Sequence, residues 1–402
     1  MHIRPLTLDD HDSSIRLSVE AFGSSPGWTP PPRPETLPTD RHVVGAFEDG
    51  PDGEELVARM AAHEYESWWH GQRIRTCGIA GVAVAAEHRG DGLIGPLLGR
   101  VLADGANRGA PLSTLYPTAT GIYRPFGYEV VSSYDTVEVT MADLARVRPP
   151  TGTRTRRARL GDVPAVRGVY DAWSAAQNGP LTRTGPRFTA PDAELLEAFT
   201  ALTVAVDESD RVVGFVSWDR GSGYGDSATG IVVHDLLATT LDGYRALWLV
   251  LASHSSVVGR VRLSTSGHDP ARLALASSTW TVVQRHPYML RVDDPAAALA
   301  AARPALPGLA RTEIGFAVAG DRLGRSDGSY RLTVGAEPGV CERVEPASGV
   351  PVLTPQGLAL LYAGVQSCAN LRMLGHLTGP AEHDRVLDAL LGSRPAHVRD
   401  YF

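Results

Sequence analysis

With 402 residues, the chain is too long for one hydrophobic core, and its length predicts two or three domains. Its hydrophobic content of 43% and charged content of 21% are typical of globular proteins and exclude the disordered and fibrous classes. The net charge of −7 argues against a nucleic-acid partner, because nucleic acids bind cationic surfaces.

Targeting and metal-binding signals are both missing from the sequence. No apolar run approaches the ~20 residues that a membrane helix needs, and Met1–Pro5 lacks the pattern of a signal peptide. The sequence therefore predicts a cytoplasmic protein without a membrane partner. Its three cysteines and thirteen histidines show no metal-ligand spacing, so no metal is predicted.

The first 140 or so residues predict an α/β region with a mixed sheet. Glycine-rich turns separate short β-branched runs from stretches in which apolar residues recur at helical spacing. The predicted strands are residues 3–8, 43–48, 56–65, 77–85 and 112–116, with a final strand pair over 128–139; helices are predicted after Asp10, over 93–102 and over 121–126.

A Pro/Gly/Thr-rich stretch over 146–153 predicts a domain boundary, and the opening pattern then returns. An arginine, a leucine and an aspartate recur at the same spacing in the two places: Arg4, Leu8 and Asp10, then Arg156, Leu160 and Asp162. Predicted strands over 202–206, 212–218, 231–238 and 261–264 and a helix over 244–253 repeat the first order, which indicates an internal repeat.

From about residue 286 the composition changes and predicts a third, α+β domain. Its predicted elements are helices over 295–303 and 355–363 and strands over 313–319 and 329–334. The predicted domains are therefore residues 1–145, 153–285 and 286–402.

The strongest chemical signal is the run Arg89-Gly90-Asp91-Gly92 between a strand and a helix. A glycine turn at a helix N-terminus leaves backbone N–H groups free, and the helix dipole adds positive charge, so the turn suits a pyrophosphate. An ordinary tight turn with a helix cap is the alternative. The turn follows several strands and lacks the Lys-Ser/Thr ending of a P-loop, so neither a Rossmann site nor a P-loop is predicted.

Together with Val82-Ala83-Val84, this run resembles the coenzyme A signature of the GNAT acetyltransferases. The rest of the chain resembles their Eis (enhanced intracellular survival) branch of aminoglycoside N-acetyltransferases. The segments that carry the resemblance are Tyr123–Tyr128, Arg285–Val292, Leu361–Gly364 and Asp400–Phe402. It implies an α/β (α+β) fold of two fused GNAT-like mixed-sheet domains followed by a sterol carrier protein-like α+β domain.

The resemblance also implies acetyl-CoA as the co-substrate, bound by the first domain. The residues that would hold its pantetheine arm and pyrophosphate are Val82, Ala83, Val84, Arg89, Gly90, Asp91, Gly92 and Leu93. The second domain has Ala238–Gly243 where the first has its glycine turn, so the second is expected to be catalytically empty.

Two catalytic groups follow from the resemblance. Tyr128 would be the general acid, since a phenol is protonated at neutral pH and can protonate the departing thiolate. The α-carboxylate of Phe402, supplied by the third domain, would be the base. The alternatives are a packed strand tyrosine and a frayed chain end.

Three residues are candidates for the acceptor pocket: Phe22 and Trp28 as aromatic walls, and Asp400 as a negative charge near a cationic acceptor. The predicted function is direct acetyl transfer, in a ternary complex, to a primary amine of a polycationic small molecule such as an aminoglycoside. The alternatives are a protein lysine, a biosynthetic amine, or a non-catalytic lipid- or coenzyme A-binding protein. The resemblance implies a homo-oligomer, a hexamer in the family.

Overall fold

A computed structural model describes residues 1–50, 53–221 and 230–402. These residues form a 12-stranded sheet and a separate 5-stranded sheet, with helices packed on both. None of the helices among them is long and apolar enough to cross a membrane.

The first region begins with a strand and a helix. Three long antiparallel strands follow, and the third of them pairs in parallel with a short strand further along the chain. Its elements are β1 (His2–Pro5), α1 (His11–Phe22), β2 (Arg41–Gly50), β3 (Gly53–Trp69), β4 (Gln72–Val84), α2 (Ile94–Asn107), β5 (Leu112–Leu115), α3 (Thr120–Tyr123), β6 (Glu129–Thr140) and α4 (Met141–Leu144). Two predictions were wrong in detail. The first strand ends at Pro5, because a 3₁₀ turn begins at Leu8, and the predicted strand pair over 128–139 is the single strand β6.

The second region repeats this order and ends in a strand that leaves it. Its elements are β7 (Arg154–Arg157), α5 (Val163–Ser174), α6 (Asp192–Glu197), β8 (Ala201–Val206), β9 (Val212–Arg220), β10 (Gly230–Ala238), α7 (Leu241–Ala252), β11 (Arg260–Thr265) and β12 (Thr281–Val292).

The third region carries the small sheet. Its elements are α8 (Pro295–Ala302), β13 (Thr312–Val318), β14 (Gly328–Val334), β15 (Val340–Val344), β16 (Val352–Leu353), α9 (Pro355–Tyr362), α10 (Cys368–Met373), β17 (Leu377–Thr378) and α11 (Asp384–Leu391).

Strand β12 joins the regions. The large sheet has the order β1-β2-β3-β4-β5-β12-β6-β11-β10-β9-β8-β7, so β12 is inserted between two strands of the first region. The predicted domain boundary at residue 286 falls inside β12. This strand pairs with β5 and β6, which lie far away in the sequence, so the local sequence around residue 286 does not reveal the pairing.

The repeated opening forms the same local structure twice. Arg4 donates to both carboxylate oxygens of Asp10 at 2.8 and 3.0 Å, and Arg156 does the same to Asp162 at 2.6 and 2.9 Å. Both aspartates also accept a backbone N–H three residues earlier at 2.7 Å. The internal repeat is therefore structural as well as sequential.

A buried ion-pair network attaches the third region to β12. The Arg291 side chain is fully buried and donates to Asp321 at 2.7 and 3.0 Å and to Asp293 at 3.1 Å. It also donates to the Phe126 carbonyl at 2.5 Å. A buried charge requires this full set of partners, so the network fixes the loop at Asp321 beside the first region.

Candidate functional site

Strands β4 and β5 separate where the predicted cofactor residues begin. Their parallel ladder pairs Thr76–Ile79 with Leu112–Leu115 and ends there, whereas β4 continues to Val84. A register shift opposite Arg59 and Ala61 of β3 accompanies this separation, and Gly81 has a φ of +53°. The last residues of β4 therefore present backbone groups to the opening, where an extended ligand can bond with them.

The predicted glycine turn lies between β4 and α2. Gly90 and Gly92 have φ values of +103° and +78°, which favour glycine. No side chain of the described residues caps the first turn of α2, so its N–H groups point out towards solvent. The Arg89 side chain is exposed, with Nε 3.4 Å from the Val84 carbonyl oxygen.

A cavity of about 630 Å³ runs along the start of α2. Residues of the third region, Arg322 and Leu323, line it together with Phe126. The Arg322 guanidinium lies 5.5 Å from the centre of the Phe126 ring. Sequence reasoning missed these two residues, because only the Arg291 network brings their loop here. The glycine turn contributes Gly92, and the helix contributes Ile94, Gly95, Pro96 and Gly99.

Tyr128 is completely enclosed. Its hydroxyl lies 2.6 Å from the Ser113 hydroxyl, and burial raises the pKa of Tyr128 well above its usual value. Its ring packs edge-on against Tyr123, with centroids 6.0 Å apart. Tyr123 is 6% exposed, and burial raises its pKa to about 12. Both phenols are protonated at neutral pH, and Tyr123 is the more accessible of the two.

The end of the chain packs against the first region. The Phe402 ring lies 4.8 Å from the Tyr65 ring and 5.3 Å from the Tyr116 ring. A Cβ at Gly78 would come within 2.9 Å of Phe402, so the glycine makes room for the aromatic ring. The Tyr116 hydroxyl donates to the Asp400 carbonyl at 2.7 Å. The chain end is therefore docked rather than frayed.

A second cavity, of about 600 Å³, lies between this docked end and the second region. Arg183 lines it and donates to Asp400 at 2.9 Å and to Asp235 at 2.5 and 3.2 Å. Tyr170 donates to Asp400 at 3.2 Å. Burial is the main cause that raises the pKa of Asp400, with Arg183 opposing it.

This network was not foreseen from the sequence. His234 and Asp235 do not pair with each other, because His234 lies 2.9 Å from Asp219 and Asp235 bonds Arg183. The structure also leaves Phe22 and Trp28 55% and 44% exposed, and neither lines the two cavities. Of the predicted acceptor residues, only Asp400 borders a cavity.

Comparison with known proteins agrees with this geometry. Models of the GNAT acetyltransferase domain match residues 2–131 and 179–292, and a model of the sterol carrier protein domain matches residues 271–399. The N-acetyltransferase Eis of Mycobacterium tuberculosis is 26% identical over 405 residues, which cover 96% of each chain. The chain is an Eis-like GNAT N-acetyltransferase.

Other relatives of this Eis-like enzyme match most or all of its length. An uncharacterized N-acetyltransferase of Streptomyces avermitilis is 27% identical over 377 residues, covering 87% of this chain and 85% of the relative. A GCN5-related N-acetyltransferase of Kribbella flavida has a TM-score of 0.77 and 28% identity, covering 100% of this chain and 98% of its own. Eis1 of Mycobacterium abscessus has the same fold, with a TM-score of 0.75 at 22% identity and full coverage of both chains.

The predicted fold class of the Eis-like enzyme is therefore confirmed: two GNAT domains and then a sterol carrier protein domain. Its two GNAT domains differ at the turn after the splayed strand. In the second domain Ala238 leads directly into α7, whose N-cap residue Thr240 accepts a hydrogen bond from the Gly243 N–H at 3.0 Å. The N-terminus of α7 is therefore capped by the side chain of Thr240, the residue that precedes the helix.

Proposed function

We propose that the enzyme transfers an acetyl group from acetyl-CoA to a primary amine of a small molecule, within a ternary complex. The observation that carries the proposal is the docking of Phe402 on Tyr65 and Gly78 of β3 and β4. Phe402, whose α-carboxylate is the proposed base, thereby lies against the sheet in which β4 ends in the glycine turn. A carboxylate and a cofactor site on one sheet are what direct transfer to an amine requires.

The cofactor would lie along the opening between β4 and β5. Backbone groups of Val82, Ala83 and Val84 would bond the pantetheine arm and polarise the thioester carbonyl. Five residues would surround the pyrophosphate, because uncapped N–H groups, a helix dipole and an arginine all favour an anion there. These are Arg89, Gly90, Asp91, Gly92 and Leu93.

The general acid would be a phenol of the Tyr123–Tyr128 pair. Tyr128 remains the residue predicted from the sequence. Its enclosed hydroxyl would have to break its hydrogen bond with Ser113 to act directly, or pass the proton through the Ser113 hydroxyl. Tyr123 is 6% exposed and Tyr128 is 0% exposed, and this small difference favours Tyr123 for direct donation, because the acid must lie within hydrogen-bond reach of the thiolate.

The base would be the Phe402 carboxylate, which is ionised at neutral pH and accepts, directly or through water, a proton from the acceptor's ammonium group before attack or from the neutral amine as it attacks. A covalent acetyl-cysteine is disfavoured, because burial raises the pKa of Cys77 to about 12 and keeps its thiol unreactive. Catalysis would reside in the first domain alone, with the second domain empty and the third supplying the chain end.

The acceptor class separates the remaining alternatives. The sequence-based expectation is a polycation such as an aminoglycoside; a protein lysine and a biosynthetic amine are the others. The decisive experiment measures thiol release from acetyl-CoA with kanamycin, a lysine peptide and simple aliphatic amines, with product masses. Intersecting initial-rate lines support a ternary complex, parallel lines indicate a covalent intermediate, and the absence of transfer to any amine contradicts the proposal. Light scattering of the purified protein tests the expected homo-hexamer.

A further inference from the structure

One face of β3 leads from the docked chain end to the splayed part of β4. Side chains alternate along a strand, so Tyr65, His63, Ala61 and Arg59 share this face. Opposite them on β4 lie small residues. The pairs are His63 with Gly78, Ala61 with Ala80, and Arg59 with Ala83. The row thus borders an open strip of backbone that begins at the Phe402 ring and ends at the β4 bulge.

At the bulge end of this face lies an arginine without a counter-charge. The Arg59 side chain belongs to a residue only 4% exposed, and no carboxylate of the described residues lies within 4 Å of it. Its Nη1 donates to the Ser14 carbonyl and hydroxyl at 3.2 and 2.7 Å and to the Ser18 hydroxyl at 2.8 Å. Its Nε is buried and has no partner among the described residues.

The free edge of this guanidinium faces β4. Nη2 lies 3.0 Å from the position that a Cβ would occupy at Gly81. A larger residue at Gly81 would cover this nitrogen. Ala80, Gly81 and Val82 are all partly accessible to solvent, so a ligand lying on the splayed strand can reach the arginine.

Two further arginines lie at the other end of the face. Arg187 donates to His63 Nδ1 at 2.6 Å, and its nearest carboxylate oxygen, of Asp40, is 3.9 Å away. Arg41 pairs with His63 in the β2–β3 register, and its buried Nε has no partner among the described residues. Burial lowers the pKa of His63 to about 4, so this ring is neutral at pH 7.

The charges of this face do not balance. Among the described residues, Asp40 is the only side-chain carboxylate that one of these three guanidinium groups approaches within 4 Å, and the chain end at Phe402 lies at the opposite end of the face from Arg59. An uncompensated buried cation is costly to fold, and an apolar residue of similar length is the more stable choice at such a position. Arg187 is exposed to solvent, so this argument applies to the buried Arg59, whose guanidinium is better explained by a ligand that supplies negative charge than by packing.

We propose that the acceptor of this enzyme carries an anionic group, carboxylate or phosphoryl, in addition to its amine, and that Arg59 binds that group. The inference rests on the proposed acetyl transfer and deepens it by naming the acceptor class. A polycation would meet like charge beside the β4 bulge, whereas an anion there forms a charge-assisted hydrogen bond with Nη2, which faces β4.

The test compares amine acceptors that carry an anionic group with acceptors that lack one. Wild-type enzyme and acetyl-CoA are assayed with 6-aminohexanoate and its carboxamide, with 4-aminobutyrate and its carboxamide, with 3-aminopropylphosphonate and with kanamycin. We expect kcat/KM to be at least tenfold higher for the acids than for their amides. The carboxylate and phosphonate probes distinguish the two anions. Equal rates for acids and amides, or a preference for kanamycin, would overturn the inference while leaving acetyl transfer intact.

Variants then locate the anion site. Arg59→Met should lower kcat/KM for the acids at least tenfold, mostly by raising KM. The kcat/KM for the amides should change less than twofold. Its Tm should be unchanged or higher, because a buried cation is lost. Arg59→Lys should retain part of the preference for acids. Arg262→Met removes an exposed arginine of the second domain, paired with Glu138 at 3.2 Å, and is the matched control.

A purely structural role for Arg59 gives a different pattern. Arg59→Met would then lower the Tm and reduce transfer to acids and amides equally, which would contradict the assignment. If the wild-type enzyme acetylates none of the probes and no other amine, the proposed function itself fails. The acid-to-amide ratio of the wild type needs no variant, so a variant that does not fold leaves the inference testable.

Discussion

The two GNAT domains contain the same splayed strand pair, but only one leaves it open. In the first domain four residues of β4 pair in parallel with β5, and in the second four residues of β10 pair in parallel with β11. Each long strand then continues past a register shift. The first strand runs into a glycine turn with an uncapped helix, whereas Thr240 caps the helix after the second.

The residues just beyond the parallel pairing also differ between the two domains: one leaves space, and the other fills it with a bonded side chain. Gly81, two residues beyond the last ladder pair of β4, leaves space beside Arg59. Asp235, at the same distance beyond the ladder of β10, is buried and bonds Arg183, which in turn bonds Asp400. In the second domain, side chains of the protein itself thus bond at positions where the first domain leaves space and an uncapped helix.

The largest effect is expected from closing the open turn. Arg89→Ala combined with Gly92→Val removes a charge and places a β-branched residue at φ +78°, so acetyl-CoA binding should fall at least a hundredfold in calorimetry. Residual stoichiometric binding in this variant would show that the second domain is not empty.

The matched change in the second domain is Thr240→Ala. It removes the helix cap and should cost about 1 kcal/mol of stability, while acetyl-CoA affinity stays at the wild-type value. A drop in affinity would mean that the two domains are not independent at this site.

The chain end links the two domains, and a C-terminal tag tests that link. Replacing the Phe402 carboxylate by a neutral amide should reduce turnover about 10²–10⁴-fold, the usual contribution of a positioned base. An N-terminal tag should have little effect, and acetyl-CoA affinity should survive both tags. Full activity with a tag verified intact by mass spectrometry would assign the base to a side chain or a water chain.

The two phenols of the first domain can be separated by paired substitutions. Whichever of Tyr123→Phe and Tyr128→Phe removes the acid should lose about 10²–10⁴ in kcat with little change in acetyl-CoA affinity. Tyr128→Phe also deprives the Ser113 hydroxyl of its partner, so its Tm should fall as well. Wild-type turnover in both variants would rule out a phenolic acid at this pair.

Acid should destabilise the fold at both GNAT domains. Burial lowers the pKa of His63, on the first domain, to about 4 and that of His397, which packs edge-on against Trp173 of the second, well below its usual value. A depressed histidine pKa stabilises the fold above about pH 6.5 and loses that contribution as the pH falls towards 4.

The free energy of unfolding should therefore decrease between pH 6.5 and 4, by up to ~1.4 kcal/mol per pH unit for each histidine. Denaturant titrations across this range check the slope. His63→Gln and His397→Gln should each flatten it by one proton, and a variant with the unchanged slope would show that its histidine titrates normally.

Periodicity and turn chemistry alone located most of the elements. The strand before Arg89 and the helix after Gly92 follow from β-branched and apolar spacing, and glycine at these turn positions follows from backbone sterics. The repeated Arg–Asp spacing correctly indicated a duplicated fold, because each pair is local in sequence and closes the same turn. Such features need only residues within a few positions of one another.

Long-range packing decided the rest. The sequence does not indicate that β12 enters the sheet between β5 and β6, that Arg183 bridges Asp235 and Asp400, or that no carboxylate of the described residues pairs with Arg59. Each depends on which distant side chains share a buried volume, and burial determines whether a charge is solvated, paired or left for a ligand. The sequence thus determined the acetyltransferase fold and the position of the glycine turn, whereas only the tertiary structure decided which distant side chains meet at the two cavities.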